Sequence, residues 1–363
     1  MTIASLQVLR VRNLKHAQLT FSPRVNIICG PNGSGKTSLL EAIHLLGLAR
    51  SFRSTQTRHY VQRGEQACVV SGSVFGGRSL STAQTLGVER NLDGSHRIRF
   101  ANEDMALSEL AQLIPLQVID STTFQLLDGS PSVRRQFIDW GVFYANQSFV
   151  NLWRAFRRAL KQRNSLLKCG NISELERQTW DAELVHLSLK VTGLRETYLA
   201  ALTEEFKRIA AVLLPNIEFT LTFARGWDEK TDLDQVLAND FARDLKQGFS
   251  SHGPQRADLR VKADGLTAAD RLSRGQKKLT VSALKLAQGA LFNRMSGRTC
   301  VFLVDDLPAE LDAEHGQRFC QFLEQSESQC FITCVDANSV ADFWQPSTEL
   351  AHFRVQSGEI ERV

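Results

Sequence analysis

The chain has 363 residues, 43% of them hydrophobic, with 43 lysines and arginines against 39 acids and a formal net charge of +4. That content excludes wholesale disorder and provides core for two or three folding units. No run approaches the roughly 18 apolar residues of a membrane span, and the start "MTIASLQVLRVRN" has no apolar signal core. The seven cysteines include no CxxC pair, so reduced thiols in a cytoplasmic protein are expected rather than a zinc site.

In chain order, "TIASLQVLRVRNLKHAQLTF" (2–21) reads as two strands around a turn at Asn13 to His16. Val25 to Cys29 reads as a short buried strand. The loop Gly30-Pro31-Asn32-Gly33-Ser34-Gly35-Lys36-Thr37 follows, and Ser38 to Leu46 reads as a helix. Strand, loop and helix together give the GxxxxGK[ST] pattern its meaning. Its glycines let backbone N–H groups curl around phosphate oxygens, and the helix start adds partial positive charge. Lys36 reaches the β and γ phosphates, and Thr37 offers a hydroxyl to Mg²⁺. A nucleoside triphosphate with Mg²⁺ is therefore expected.

Next comes a basic patch, "RSFRS" (50–54) with Arg58. Its arginines could face DNA or nucleotide, or cap the preceding helix. Short strand-like runs at 60–76 and 86–100 suggest an antiparallel sheet. Gln117 follows an apolar run. From 122 to 249 helical patterns dominate, as in "VNLWRAFRRALKQRNSLLK" and a long amphipathic stretch ending before Pro215. Between Val133 and Lys168 there are eight basic residues and one acid, Asp139. Arg154, Arg157, Arg158 and Lys161 share one helix side, a face suited to phosphates.

"DRLSRGQKKLTVSALKLAQGALF" (270–292) opens a Leu/Ala-rich helix at Ser273, with small Gly275 and Gln276 in its first turn. Free N–H groups at such a start make an anion site. "VFLVDD" (301–306) is an apolar strand ending on two acids. Adjacent carboxylates there repel, and a metal ion offsets the repulsion. Asp305, the first acid, is read as the Mg²⁺ holder, and Asp306 as the group that orients the attacking water. Some 270 residues separate Lys36 from these acids, so a large insertion interrupts the nucleotide site.

"LSRGQ" resembles the signature motif of the ABC ATPase superfamily. The larger set "GPNGSGKTSLLEAI", "FRS", "PLQVI", "RRQFIDW", "LKQRN", "HGPQRADL", "LSRGQ" and "DDLPAELD" resembles the RecF family across nearly the whole chain. The resemblance implies an α/β fold. It is an ABC-type P-loop ATPase head with an antiparallel β subdomain, like Rad50 and SMC heads but without a long coil, interrupted by a helical insertion domain. Residues 1–121 and 250–363 would form the two halves of the head and 122–249 the insertion, a DNA clamp.

The resemblance also implies roles. Gln117 would be the Q-loop residue sensing Mg²⁺ and γ-phosphate. Ser273, Gly275 and Gln276 would face the nucleotide of a second subunit, and Asp312, in the D-loop "PAELD", would reach across the same seam. Thr333 and Cys334 stand where most of the superfamily has a switch histidine. The implied activity is a weak, DNA-stimulated ATPase that dimerises on ATP and binds duplex DNA and gapped junctions. It would work with RecR, RecO and RecA in gap repair and the SOS response. The alternative is an SMC/Rad50-like structural or nuclease-coupled head.

Overall fold

The computed structural model describes residues 2–75, 83–170 and 172–363, so Gly76, the end of one expected strand run, lies outside the described residues. The chain divides into two compact units, Met1–Thr123 with Lys278–Val363, and Phe124–Lys277.

In the first unit, the two halves of the expected nucleotide site join one six-stranded sheet. Its strand order is Glu359–Arg362, Leu350–Gln356, Val25–Cys29, Gln329–Cys334, Val301–Val304, Leu116–Ile119. All neighbours pair in parallel except the final hairpin. Parallel strands buried on both faces explain why "VFLV" and "CFIT" are continuous apolar runs rather than alternating ones. The register pairs Cys334 with Cys29 and Val304 with Ile119. The carboxyl ends of the strands thus align at one sheet edge, where ligands of open α/β sheets bind.

A second, antiparallel sheet is built from the N-terminal hairpin and the strands of residues 67–104. The helix Lys36–Leu48 is buried along almost its whole length, and its Leu39, Leu40, Ile43 and Leu46 share a core with residues of both sheets. A helix covered on two sides needs no polar face, so its apolar residues run nearly all round.

The second unit carries the helices Pro131–Ala145, Phe149–Cys169 and Glu174–Leu213. The last, of 40 residues, starts at a capping box between Ser173 and Glu176. This unit extends past the expected boundary at 249 and ends at Lys277. The physical reason is a small sheet that the helical reading overlooked. Strand Phe219–Ala224 pairs antiparallel with Asp258–Ala263, register Phe219↔Ala263, and Arg134 adds an ion pair to Asp258 at 2.6 Å.

The basic run also divides. Arg135 donates to the Ala257 carbonyl at 2.8 Å. Arg163 is buried, 2.6 Å from Asp181 and 2.7 Å from Asp244. These arginines serve internal structure. Arg154, Arg157, Arg158 and Lys161 are exposed, and none of the four enters an ion pair among the described residues. Among the described residues no helix is long and apolar enough to cross a membrane.

Candidate nucleotide-binding site

A cavity of about 390 Å³ opens at the carboxyl edge of the parallel sheet, lined by Asn32, Gly33, Gly35, Lys36, Thr37 and Ser38 of the loop, with Asp305 and Asp306, Asn13, Arg53 and Ser121. The loop is held open by its glycines. Gly35 has φ 123°, and a Cβ there would lie 2.9 Å from the Asn13 amide. A Cβ on Gly30 would collide with the Val355 carbonyl. Lys36 Nζ donates to the carbonyls of Gly30 at 2.6 Å and Pro31 at 3.2 Å, which arches the loop.

Thr37 Oγ1 donates to the Asp305 carboxylate at 3.0 Å, across 268 residues of chain. Thr333 Oγ1 donates to the same carboxylate at 2.7 Å and accepts the Asp306 N–H at 2.7 Å. Of the two residues at the switch position, Thr333 therefore meets the acids, while Cys334 pairs with Cys29. Asp306 has a left-handed backbone, φ 54°. Aspartate adopts that conformation more readily than most residues, so backbone geometry favours aspartate over a longer acid here.

Several residues were not singled out from sequence. Asn13 donates to the Ser34 carbonyl at 3.0 Å and accepts from Ser38 Oγ at 2.7 Å, clamping the loop to the N-terminal hairpin. Its place in a turn was legible, its partner was not. Of the "RSFRS" patch with Arg58, Arg53 lines the cavity, whereas Arg58 donates to Gln56 Oε1 at 2.9 Å. Buried Glu41 of the P-loop helix bonds Arg12 and Ser51. Ser51 Oγ in turn accepts the N–H groups of Arg53 and Ser54, each at 3.0 Å. That network fixes the loop presenting Arg53.

The expectation for Gln117 is corrected. It sits within its strand, opposite Phe302, is 1% exposed, and donates to Gln288 Oε1 at 3.0 Å. The structure does not bring it to the cavity. Ser121, beyond the end of that strand, lines the cavity instead. Burial in the sheet core favours an amide–amide bond over a ligand role.

The remaining expected residues occupy helix starts. Ser273 Oγ accepts the Gln276 N–H at 3.3 Å while Gln276 Oε1 accepts the Ser273 N–H at 2.9 Å, a capping box. Ser273 and Gly275 are exposed. Asp312 caps the helix Ala313–Gln325 by accepting the His315 N–H at 3.0 Å. That bond and the His315 ring hold its carboxyl below the usual range. Its side chain is still 67% exposed, open to a second contact.

The residues fit a triphosphate and a hard divalent cation. A hydroxyl and a carboxylate 3.0 Å apart are the oxygen donors Mg²⁺ takes. Among the described residues, the buried Ser34 Oγ within the loop has no hydrogen-bond partner. Burial holds the Asp305 carboxyl above its ordinary range. Hydrogen bonds from Thr333 and Thr37 oppose the shift, and the charges of Asp120 and Asp306 add to it. A raised native value means the folded chain binds that proton more tightly than the unfolded chain. Stability is therefore lost as pH rises through that range. Asp305→Asn removes the half-buried charge. The ligand-free variant is expected to melt about 2–4 °C higher at neutral pH and to lose the stabilisation that Mg²⁺ with ATP gives the wild type. Thermal scans with and without ligand check both, and an unchanged ligand response would remove Asp305 from the metal position.

The family model for the RecF/RecN/SMC N terminal domain matches residues 2–358. The DNA replication and repair protein RecF of Pseudomonas paraeruginosa is 44% identical over 363 residues, covering 100% of this chain and 98% of its own length. That of Azotobacter vinelandii is 46% identical, covering 99% and 98%. Among solved structures, the recombination mediator protein RecF-ATP in the RecFOR pathway superposes with a TM-score of 0.86 at 24% identity, covering 100% of this chain and 97% of that one. An SMC head bound to the C-winged helix domain of ScpA gives 0.61 at 15%, with coverage of 100% and 97%. At these identities the structural matches speak for the fold alone, that of the RecF and SMC head structures. Sequence identity sustained over the full length carries more, and on it the chain belongs to the RecF family.

Proposed function

We propose that the chain is an ATP-dependent, dimerising DNA-binding protein of replication, recombinational gap repair and the SOS response. Slow, DNA-stimulated hydrolysis would reset it. The observation that carries this reading is the convergence of Lys36, Thr37, Asp305 and Asp306 on one cavity. The relatives named for DNA replication and repair, and the RecF-ATP structure, support it.

In this reading the triphosphate lies along the loop from Gly30 to Ser38, and Lys36 Nζ turns from its carbonyl partners to phosphate oxygens. Mg²⁺, when bound, supplies positive charge against those oxygens, and Thr37 and Asp305 are the groups that would hold it. Asp306 orients the attacking water. Arg53, aimed into the cavity by the Glu41 network, adds charge against the phosphates. The exposed helix start at Ser273 and Gly275 takes the γ-phosphate of a second copy, so that nucleotide acts as the adhesive of a two-fold dimer, with Asp312 reaching over the same seam. Each copy brings the face of Arg154, Arg157, Arg158 and Lys161 to duplex DNA and gapped junctions. In the cytoplasm such a clamp would work with RecR and RecO to load RecA.

Sedimentation with and without Mg²⁺, ATP and gapped duplex tests nucleotide, dimer and DNA together. ATP is expected to convert monomer to dimer. Ser273→Arg is expected to retain ATP binding by the monomer and form no dimer, and a persisting ATP-induced dimer would end the trans role. Charge reversal of Arg157 and Arg158 to glutamate is expected to weaken DNA binding at least about tenfold at moderate salt. Unchanged affinity would take that helix off the DNA surface. The rival reading, an SMC/Rad50-like head, predicts instead copurification with a structural or nuclease partner.

A further inference from the structure

We infer that Cys29 and Cys334 form an oxidisable dithiol at the base of the nucleotide loop, a modification site for low-molecular-weight disulfides that turns ATP binding off. The inference rests on the nucleotide reading above. Cys29 is the last residue of the P-loop strand and Cys334 the last of its parallel neighbour, and the two are direct register partners. Partners across parallel strands present their side chains on the same sheet face, with backbones about 4.8 Å apart. That lies within the Cα span a disulfide bridges.

The two thiols are unequal. Cys29 is partly exposed and Cys334 is fully buried. Cys29 donates to the Phe353 carbonyl at 3.3 Å. The hydrogen bond with Cys334 lowers the Cys29 thiol to about 7. Burial and nearby Asp336 act against this, while Arg354 and Lys36 assist. The same contact, and burial, push Cys334 up. Cys29 is thus the thiolate nucleophile and Cys334 the resolving thiol.

The chemistry balances in two exchanges. The Cys29 thiolate attacks one sulfur of the small disulfide, forming a mixed disulfide and releasing one thiolate, which takes up a proton. Cys334 then gives up its proton, and its sulfur attacks that of Cys29. The intramolecular bond forms as the second small thiol leaves. Two protein thiols are oxidised and one small disulfide is reduced to two thiols.

The cross-link pulls on Gly30, the next residue, where no Cβ fits and whose carbonyl holds Lys36 Nζ at 2.6 Å. The effect is reciprocal. Phosphate charge beside Lys36 opposes the Cys29 thiolate, so bound ATP slows the oxidation.

The test uses the full chain with the exposed Cys169 replaced by serine, incubated with oxidised glutathione. Non-reducing peptide mapping is expected to find a Cys29–Cys334 linked peptide two hydrogens lighter than its reduced parts. Affinity for a fluorescent ATP analogue is expected to fall at least about tenfold and to return on reduction. Mg²⁺ with ATP slows the linkage. Cys334→Ser stops at the mixed disulfide on Cys29 and yields no linked peptide. Absence of the linked peptide, or its presence with unchanged nucleotide affinity, overturns the inference. A reduced protein that binds no ATP while still forming the linked peptide instead overturns the nucleotide reading and leaves the dithiol standing without its regulatory consequence.

Discussion

Lys36→Met is expected to lower ATP affinity at least about 100-fold, on the order of 3 kcal/mol, with the fold intact. Lys36 is only 7% exposed, and its Nζ lies 2.6 and 3.2 Å from two loop carbonyls. The ammonium is therefore already positioned over the cradle, where little water competes with a phosphate oxygen. Methionine follows the same channel with similar volume but brings no charge, so packing of the helix start is retained while the phosphate partner is lost. Calorimetric titration with ATP measures the loss, and circular dichroism checks the fold. Unchanged affinity would remove Lys36 from the site. Loss of helical signal would make the change a structural one.

Arg195→Ala is expected to destabilise the second unit by about 3–5 kcal/mol, lowering its thermal midpoint by about 10 °C. Arg195 is fully buried. It holds Asp139 by two bonds of 2.8 and 3.0 Å and donates to the Pro254 carbonyl at 2.7 Å. Its guanidinium also lies over the Trp153 ring at 5.1 Å. One side chain thereby ties the "FIDW" stretch, the 40-residue helix and the "HGPQR" turn. Alanine leaves the half-buried Asp139 carboxylate and the carbonyl of buried Pro254 without their donor, where most of the cost arises. Pairing Arg195→Met with Asp139→Leu is expected to recover much of it, because both charges then leave together. A midpoint within a degree of wild type for Arg195→Ala would show the network to be inconsequential.

The two arginine classes illustrate what could be read in advance. Arg157 and Arg195 are indistinguishable by type, and helical spacing correctly put Arg154, Arg157, Arg158 and Lys161 on one exposed side. Spacing had no means of finding that Arg163 and Arg195 are consumed by acids 18 and 56 positions away. The same holds at the cavity. The loop, its lysine and the strand-end acids are local patterns whose chemistry follows from backbone N–H groups, one ammonium and two carboxylates in order along the chain. Gln117 was misplaced because following an apolar run resembles ending a strand. Only the register with Phe302 shows it to lie inside the sheet.

The phosphate loop, the acid pair, an α/β head interrupted by a largely helical insertion, and the family were all legible along the chain. All of these are carried by contiguous residues, whose local geometry is set by glycine conformations, apolar runs and helical period. Tertiary structure decided that Thr333 meets the acids while Cys334 meets Cys29, that Asn13 and Arg53 line the cavity, and that the second unit runs to Lys277. Each of these is a pairing between distant segments. Such pairings are fixed by strand register and by buried groups finding their only available partners, and no single stretch of chain contains that information.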